Sequence, residues 1–287
     1  MSHPFSQFVD QFVTLMDDAG KLPLGELAPA HAPRLQDNAP RVLVFAPHPD
    51  DEAIVGGLAL RLRRELRFRV SVVAVTQGSR VDRQKERLEE MRGSCHFLGF
   101  EVITTQQNGL AAVNLKTRTR KPEAWAEAVA LTAQIIAYHR PAVLVLPHED
   151  DFNTTHTGTH HLVLDALRTL GPKFQVRLVE TEFWRPMADP NLMVESSSED
   201  VADLVAATSF HKGEVVRNPY HLHLPAWMSD NVRRGSELVG GQGTSAPPFH
   251  FATLYRVSDW TEGGMRPCVN TGLIIPAGGE LTALFSW

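Results

Sequence analysis

The stretch Val42-Leu43-Val44-Phe45-Ala46-Pro47-His48-Pro49-Asp50-Asp51-Glu52 constrains this chain more than any other. Its first half is a β-branched and aromatic run, too short for a helix, and reads as a buried parallel strand. From Asp51 onward Ile54, Leu58 and Leu62 recur at i, i+4 and i+8, which predicts one helix, with Gly56-Gly57 allowing close packing. Ligands of an open α/β sheet bind outside the carboxyl ends of such strands. His48, Asp50 and Asp51 all fall at that turn, giving two good ligands for a divalent metal and one spare carboxylate. Zinc takes imidazole and carboxylate donors at about 2.0–2.2 Å, and a catalytic site needs three protein ligands plus a water. A third ligand must therefore lie elsewhere in the chain. Capping a helix N-terminus accounts for one carboxylate at the turn, but not for three together with His48 and Pro49.

The rest of the chain alternates in the same way. Phe68–Thr76 reads as a second strand, followed by the turn Gln77-Gly78-Ser79, and Val102–Thr105 as a third. Leu88, Met91, Cys95 and Leu98 mark a helix stopped by Gly99. Residues 106–120 read as a polar loop long enough to be functional. Pro122 suits the first turn of a helix carrying Trp125, Val129, Ile135 and Ile136. Ala142–Pro147 and Val176–Phe183 read as strands four and five, with a helix through Leu162, Val163, Ala166, Leu167 and Leu170 between them. Strands alternating with helices imply right-handed crossovers and a mainly parallel, Rossmann-like α/β sheet with helices on both faces.

Outside this core, Phe5, Phe8, Phe12, Leu15 and Met16 predict an amphipathic helix packed on the domain, joined by a loop to residue 40. Beyond residue 185 the alternation weakens. Pro186–Pro248 reads as one helix, Asp200–Lys212, among loops, with Phe251–Val257 and Leu273–Phe285 as late strands. The expected organisation is a single domain over 1–287, with an N-terminal helix and loop (1–40), an α/β core (41–185) and a C-terminal region (186–287) that shapes a substrate pocket through Tyr220, Trp227, Arg233 and Arg234.

With 43% hydrophobic residues among 287, the chain has ample material for one substantial core. A net charge of -5 provides no general basic field for nucleic acid, and Arg61, Arg63 and Arg64 read as a solvated helix face. No run approaches the roughly 18 apolar residues of a membrane span. Met1–Gly20 carries acidic residues and no basic n-region, unlike a signal peptide. Two cysteines make no disulfide framework, so a reducing cytoplasm is expected.

The fourth strand ends as the first does, in His148, Glu149, Asp150, Asp151, Asn153 and His156, then His160 and His161. Both clusters sit at strand carboxyl ends on one edge of one sheet, so a metal can join them without any special folding assumption. Here the chain resembles the LmbE-like or PIG-L zinc-dependent N-acetylglucosamine deacetylases. The resemblance rests on Ala46-Pro47-His48-Pro49-Asp50-Asp51-Glu52, Gly56-Gly57, Thr76-Gln77-Gly78-Ser79, Arg87-Leu88-Glu89-Glu90 with Leu98-Gly99, and His156 followed by Leu162-Val163 and Ala166-Leu167. It covers roughly residues 41 to 185.

The resemblance implies an LmbE-like fold and zinc, or another divalent metal, held by His48, Asp51 and His156, with Asp50 as general base. It implies that Arg87 touches the sugar and that Asn108 lies near a sugar-binding position. Relatives usually read His-Pro-Asp-His where this chain has Asn153-Thr154-Thr155-His156. Asn153 can donate a hydrogen bond to an oxyanion but cannot deliver a proton; His148, His211, His221, His223 or protonated Asp50 are left as acids. His160, at i+4 from His156, is an alternative ligand, and Arg87 has an alternative as a surface partner of Glu90.

The function expected is a metal-dependent hydrolase removing an N-acetyl or other short N-acyl group from an amino sugar or glycoconjugate, a small-molecule partner. Two alternatives stand beside it: an amidase acting on a thiol- or lipid-linked conjugate, and a non-catalytic sugar-binding α/β protein. Whether the chain acts alone or as a homo-oligomer is left open.

Overall fold

A computed structural model describes residues 3–285; residues 1, 2, 286 and 287 of the expected domain lie outside the described residues. The strands are β1 (Arg41–Ala46), β2 (Arg69–Ala74), β3 (Glu101–Thr104), β4 (Val143–Pro147), β5 (Val176–Thr181), β6 (Leu192–Glu195), β7 (Ala252–Thr261), β8 (Gly264–Pro267) and β9 (Leu273–Ile275). The helices are α1 (Pro4–Ala19), α2 (Asp51–Ile54), α3 (Gly57–Arg64), α4 (Gln84–Leu98), α5 (Leu115–Arg120), α6 (Pro122–His139), α7 (Thr154–Thr169), α8 (Ser198–Thr208), α9 (Lys212–Val215), α10 (Tyr220–Leu238) and α11 (Thr282–Phe285).

One sheet runs in the order β3-β2-β1-β4-β5-β7-β6-β9, with β8 paired to β7. From β3 to β5 every pairing is parallel. Successive side chains of β1 point to opposite faces. Val42, Val44 and Ala46 join the core made with α3, α4 and α8, whereas Leu43 and Phe45 join that made with α6 and α7. This two-sided burial is what the near-continuous apolar runs encode. The chain winds outward from β1 through β2 and β3, then returns to lay β4 on the other side of β1, in register at Val44 and Val145. That reversal opens a crevice at the carboxyl ends of β1 and β4, the usual ligand position in such sheets.

Several expectations are corrected. The helix after Asp51 is broken into α2 and α3 at Gly56, whose φ of +84° suits glycine. The close packing expected of Gly56-Gly57 is present: a Cβ on either would collide with Thr253 or Ser196. Arg61, Arg63 and Arg64 do not form a solvated face. Arg61 is fully buried, paired with Glu65 at 2.6 Å and donating to the carbonyls of Glu195, Ile275 and Gly279. Arg63 bonds Pro33 and Gly99 carbonyls, and Arg64 binds Asp200 and Asp203. A guanidinium satisfies five donors at once, which makes such burial affordable for Arg.

The helix α1 forms, but Phe5, Phe8, Phe12 and Leu15 are exposed rather than packed. The 106–120 loop contains α5. The region after 185 holds β6 and the long α10 in addition to α8, and Leu273–Phe285 is a short strand followed by α11. The strand β7 lies antiparallel between β5 and β6. Among the described residues no helix is long and apolar enough to cross a membrane.

Candidate metal centre and active-site pocket

After β1 the chain turns through Pro47, His48 and Pro49 into Asp50, which adopts φ +121°, a value that non-glycine residues take at a cost. The turn is clamped from below. The Asp50 N–H donates to Glu52 Oε2 at 2.9 Å, and Glu52 Oε1 meets His211 Nε2 at 2.6 Å in the interior. Burial alone would raise the Glu52 pKa, but the His211 imidazole outweighs it and holds Glu52 in its charged range. Asp50 occupies the helix N-cap position yet makes no capping bond, so capping does not account for its side chain.

The three donor atoms of His48, Asp51 and His156 converge. His48 Nδ1 lies 3.3 Å from His156 Nε2 and 3.3 Å from Asp51 Oδ2, and His156 Nε2 lies 3.2 Å from the same oxygen. Ligands at about 2.0–2.2 Å from a tetrahedral ion stand about 3.3–3.6 Å apart. Two imidazole nitrogens and one carboxylate oxygen at that spacing fit a divalent cation of the zinc type. Burial would raise the Asp51 pKa, but His156 and His48 hold it well below the usual carboxylate range, leaving it the anion a metal requires.

The second half of the site is positioned by the start of α7. Asn153 is its N-cap, with Oδ1 accepting from Thr155 N–H at 2.8 Å. This brings His156 into the first turn rather than a loop. Asp151, fully buried at its side chain, accepts from Asn153 N–H at 2.8 Å and from Trp184 N–H at 3.0 Å, and its Oδ1 lies 3.5 Å from His156 Nδ1. The Phe183 ring meets the His156 ring edge-on at 4.7 Å. A carboxylate behind a ligating imidazole fixes which nitrogen faces the metal. Sequence reasoning assigned Asp151 no role; its only signal was an acid five residues before His156.

Asp50 stands apart from the three converging donors. Its Oδ2 accepts from Tyr220 Oη–H at 2.6 Å and lies 3.7 Å from Arg87 Nη2. Burial, and then the Asp51 charge, push the Asp50 carboxyl up to about 6. Tyr220, expected only as a pocket residue, thus touches the spare carboxylate directly. Arg87 is not a surface partner of Glu90; its Nη2 donates to Pro49 O at 2.7 Å, and Glu90 faces Arg83 instead. The Arg87 guanidinium passes over Gly78, where a Cβ would collide with it.

A cavity of about 820 Å³ opens above this centre, lined by His48, Asp50, Asp51, Arg87, Asn108 and Asn153 among others. His156 is fully buried behind it. The alternative ligand His160 is elsewhere: buried, with Nδ1 3.0 Å from Pro147 O and 3.4 Å from Glu180. The His161 ring meets it edge-on at 5.1 Å. His148 Nε2 is engaged by Arg185 O at 2.8 Å, and His211 by Glu52. Arg233 pairs with Asp230 at the surface, and Arg234 binds buried Glu182; neither lines the cavity.

A doubly wound sheet with a His–Asp–His triangle at its switch point, and an aspartate outside the triangle beside it, defines a Rossmann-like α/β protein with a candidate divalent-metal site. Residues 43–167 match the family model PIG-L, described as GlcNAc-PI de-N-acetylase. No curated protein sequence matches the chain. Among solved structures it is similar to the conserved protein TT1542 from Thermus thermophilus, with 21% identity and a TM-score of 0.55 over 75% of this chain and 93% of that one. It is also similar to N,N'-diacetylchitobiose deacetylase from Pyrococcus horikoshii, with 14% identity and a TM-score of 0.56 over 89% and 93%. The third is GalB, a 4-carboxy-2-hydroxymuconate hydratase from Pseudomonas putida, with 18% identity and a TM-score of 0.56 over 76% and 95%. At these identities the structures establish the LmbE-like fold.

Proposed function

We propose that this protein is a metal-dependent N-deacylase, removing an acetyl or other short acyl group from an amino sugar or glycoconjugate, with zinc as the native ion. The single observation that carries this reading is the His48–Asp51–His156 triangle with Asp50 beside it and outside it. The PIG-L match supports it, as does the deacetylase from P. horikoshii among the structures of like fold.

In this reading His48, Asp51 and His156 hold the cation. A divalent ion so held lowers the pKa of its water toward about 7 and polarises a carbonyl. Asp50, kept in place by Tyr220, takes a proton as water adds to the amide carbon. Once protonated it returns that proton to the nitrogen as the C–N bond breaks, yielding amine and carboxylate. One carboxyl thus serves both transfers, which meets the lack of a histidine at position 153. The Asn153 Oδ1 is committed to its cap, so the group left for the pocket is the Nδ2 amide, a donor suited to the developing oxyanion. Arg87 and Asn108 take sugar hydroxyls, and the region 186–287 of a single domain supplies further pocket wall. Two unpaired cysteines, Cys95 and Cys268, are in keeping with a reducing cytoplasm.

The purified protein is expected to release acetate from N-acetylglucosamine derivatives, to stop when chelated, and to resume with added zinc. Metal-loaded protein that hydrolyses no N-acyl sugar rules the reading out. A pH profile adds a second test. Asp50 acts as base only when ionised, so kcat/KM should fall as the pH drops through about 6. A bound cation offsets the Asp51 charge and moves this limb lower, not higher. An acid limb well above pH 6 would belong to another group.

A further inference from the structure

A second, smaller cavity of about 170 Å³ adjoins the first, with Trp184 common to both. Its other walls are Ile54, Phe183, Tyr220, His223, Leu224 and Trp227, mostly apolar or aromatic where the larger cavity is polar. Two of these walls touch the metal centre. Phe183 packs edge-on against His156 at 4.7 Å, and Tyr220 donates to Asp50 at 2.6 Å. Ile54 ends α2, the helix that Asp51 begins. The cavity is therefore one side chain away from a candidate ligand, through Phe183, and from Asp50, through Tyr220, whereas Arg87, Asn108 and Asn153 line only the polar cavity.

An amide has two substituents, and these two cavities differ in the way the substituents of an N-acyl amino sugar differ. The hydroxyl-bearing amine part suits the polar space. An acyl chain suits the aromatic one, because removing methylenes from water is favourable and apolar cavities gain nothing from solvent. We propose that the small cavity is an acyl-chain pocket and that preferred substrates carry an unbranched acyl group of about four to six carbons rather than acetyl, counting roughly 30 Å³ per water-sized group. This inference rests on the deacylase reading above and adds the substrate class. An acetyl group would leave most of the cavity unfilled.

The test is a chain-length series on the metal-loaded full chain: N-acetyl-, N-butanoyl-, N-hexanoyl- and N-octanoyl-D-glucosamine. Each buried methylene is worth about fourfold, so kcat/KM should rise on the order of 10²-fold from acetyl to hexanoyl and fall again at octanoyl. The gain should appear in KM, because chain binding is the same in ground and transition states. Leu224→Phe, which fills the cavity, should collapse the hexanoyl-to-acetyl ratio. Trp184 and Trp227 supply a readout independent of turnover: hexanoate should quench protein fluorescence at concentrations where acetate does not. If Leu224→Phe does not fold, the wild-type series and the quenching decide alone. A flat series, an acetyl optimum or equal responses to hexanoate and acetate would overturn the pocket while leaving the deacylase reading intact. Hydrolysis of no member would overturn both.

Discussion

His156→Ala is expected to strip the metal and abolish turnover, with dialysed protein falling from one bound ion toward none by elemental analysis. Changes to residues behind a ligand already cost about 10–100-fold in metal affinity, so losing the ligand itself should cost at least on the order of 10²-fold. The helical neighbour cannot take over. His160 is four residues on, but its Nδ1 is committed to Pro147 O at 3.0 Å, and it faces Glu180 rather than Asp51. Asp151 and Phe183 back the ring of His156, not that of His160. A variant with full metal occupancy would remove His156 from the ligand set. Circular dichroism on the same sample separates loss of the ion from loss of the fold.

Asp50→Asn should do the opposite, retaining the metal and losing turnover by about 10²–10⁴-fold, the usual worth of a positioned acid–base group. The substitution is isosteric, and an amide oxygen can still accept from Tyr220. The three converging donors are untouched, so any loss of rate is not a loss of the ion. Activity within tenfold of the parent protein would remove Asp50 as the base. Because the two variants differ in metal content as well as in rate, together they separate binding the ion from using it.

Much of the core was legible because it obeys simple periods. The runs of β1, β2 and β4 are apolar on both faces, and the αL glycine Gly99 ends α4 where expected. The chemistry of the two strand ends was legible for the same reason: parallel strands put their carboxyl ends on one edge. What was not legible depends on tertiary partners. The clustered arginines of α3 look solvated until carbonyls of β6, β9 and the segments at Pro33 and Gly99, and two carboxylates of α8, come to meet them. The α10 helix carries Pro225 in its interior, a residue that ordinarily ends a helix, and its histidines blur the apolar stripe. Asp151 acquires its place from the backbone N–H of Trp184, thirty-three residues away. The stripe of α1 announced a helix correctly, but the packing on the domain expected of it is not there: Phe5, Phe8, Phe12 and Leu15 stay exposed.

The proposed ligands and base sit just after β1 and β4, strands that pair directly at the centre of the sheet, while Trp184, Leu224 and Trp227 hang from later segments and touch none of them. On the deacylase reading, descendants of this chain could therefore change which amide they accept by drifting at those outer positions, generation after generation, without disturbing how the bond is broken. The reverse is closed to them: any slip of the two middle strands would forfeit the ion and the fold's interior in a single event.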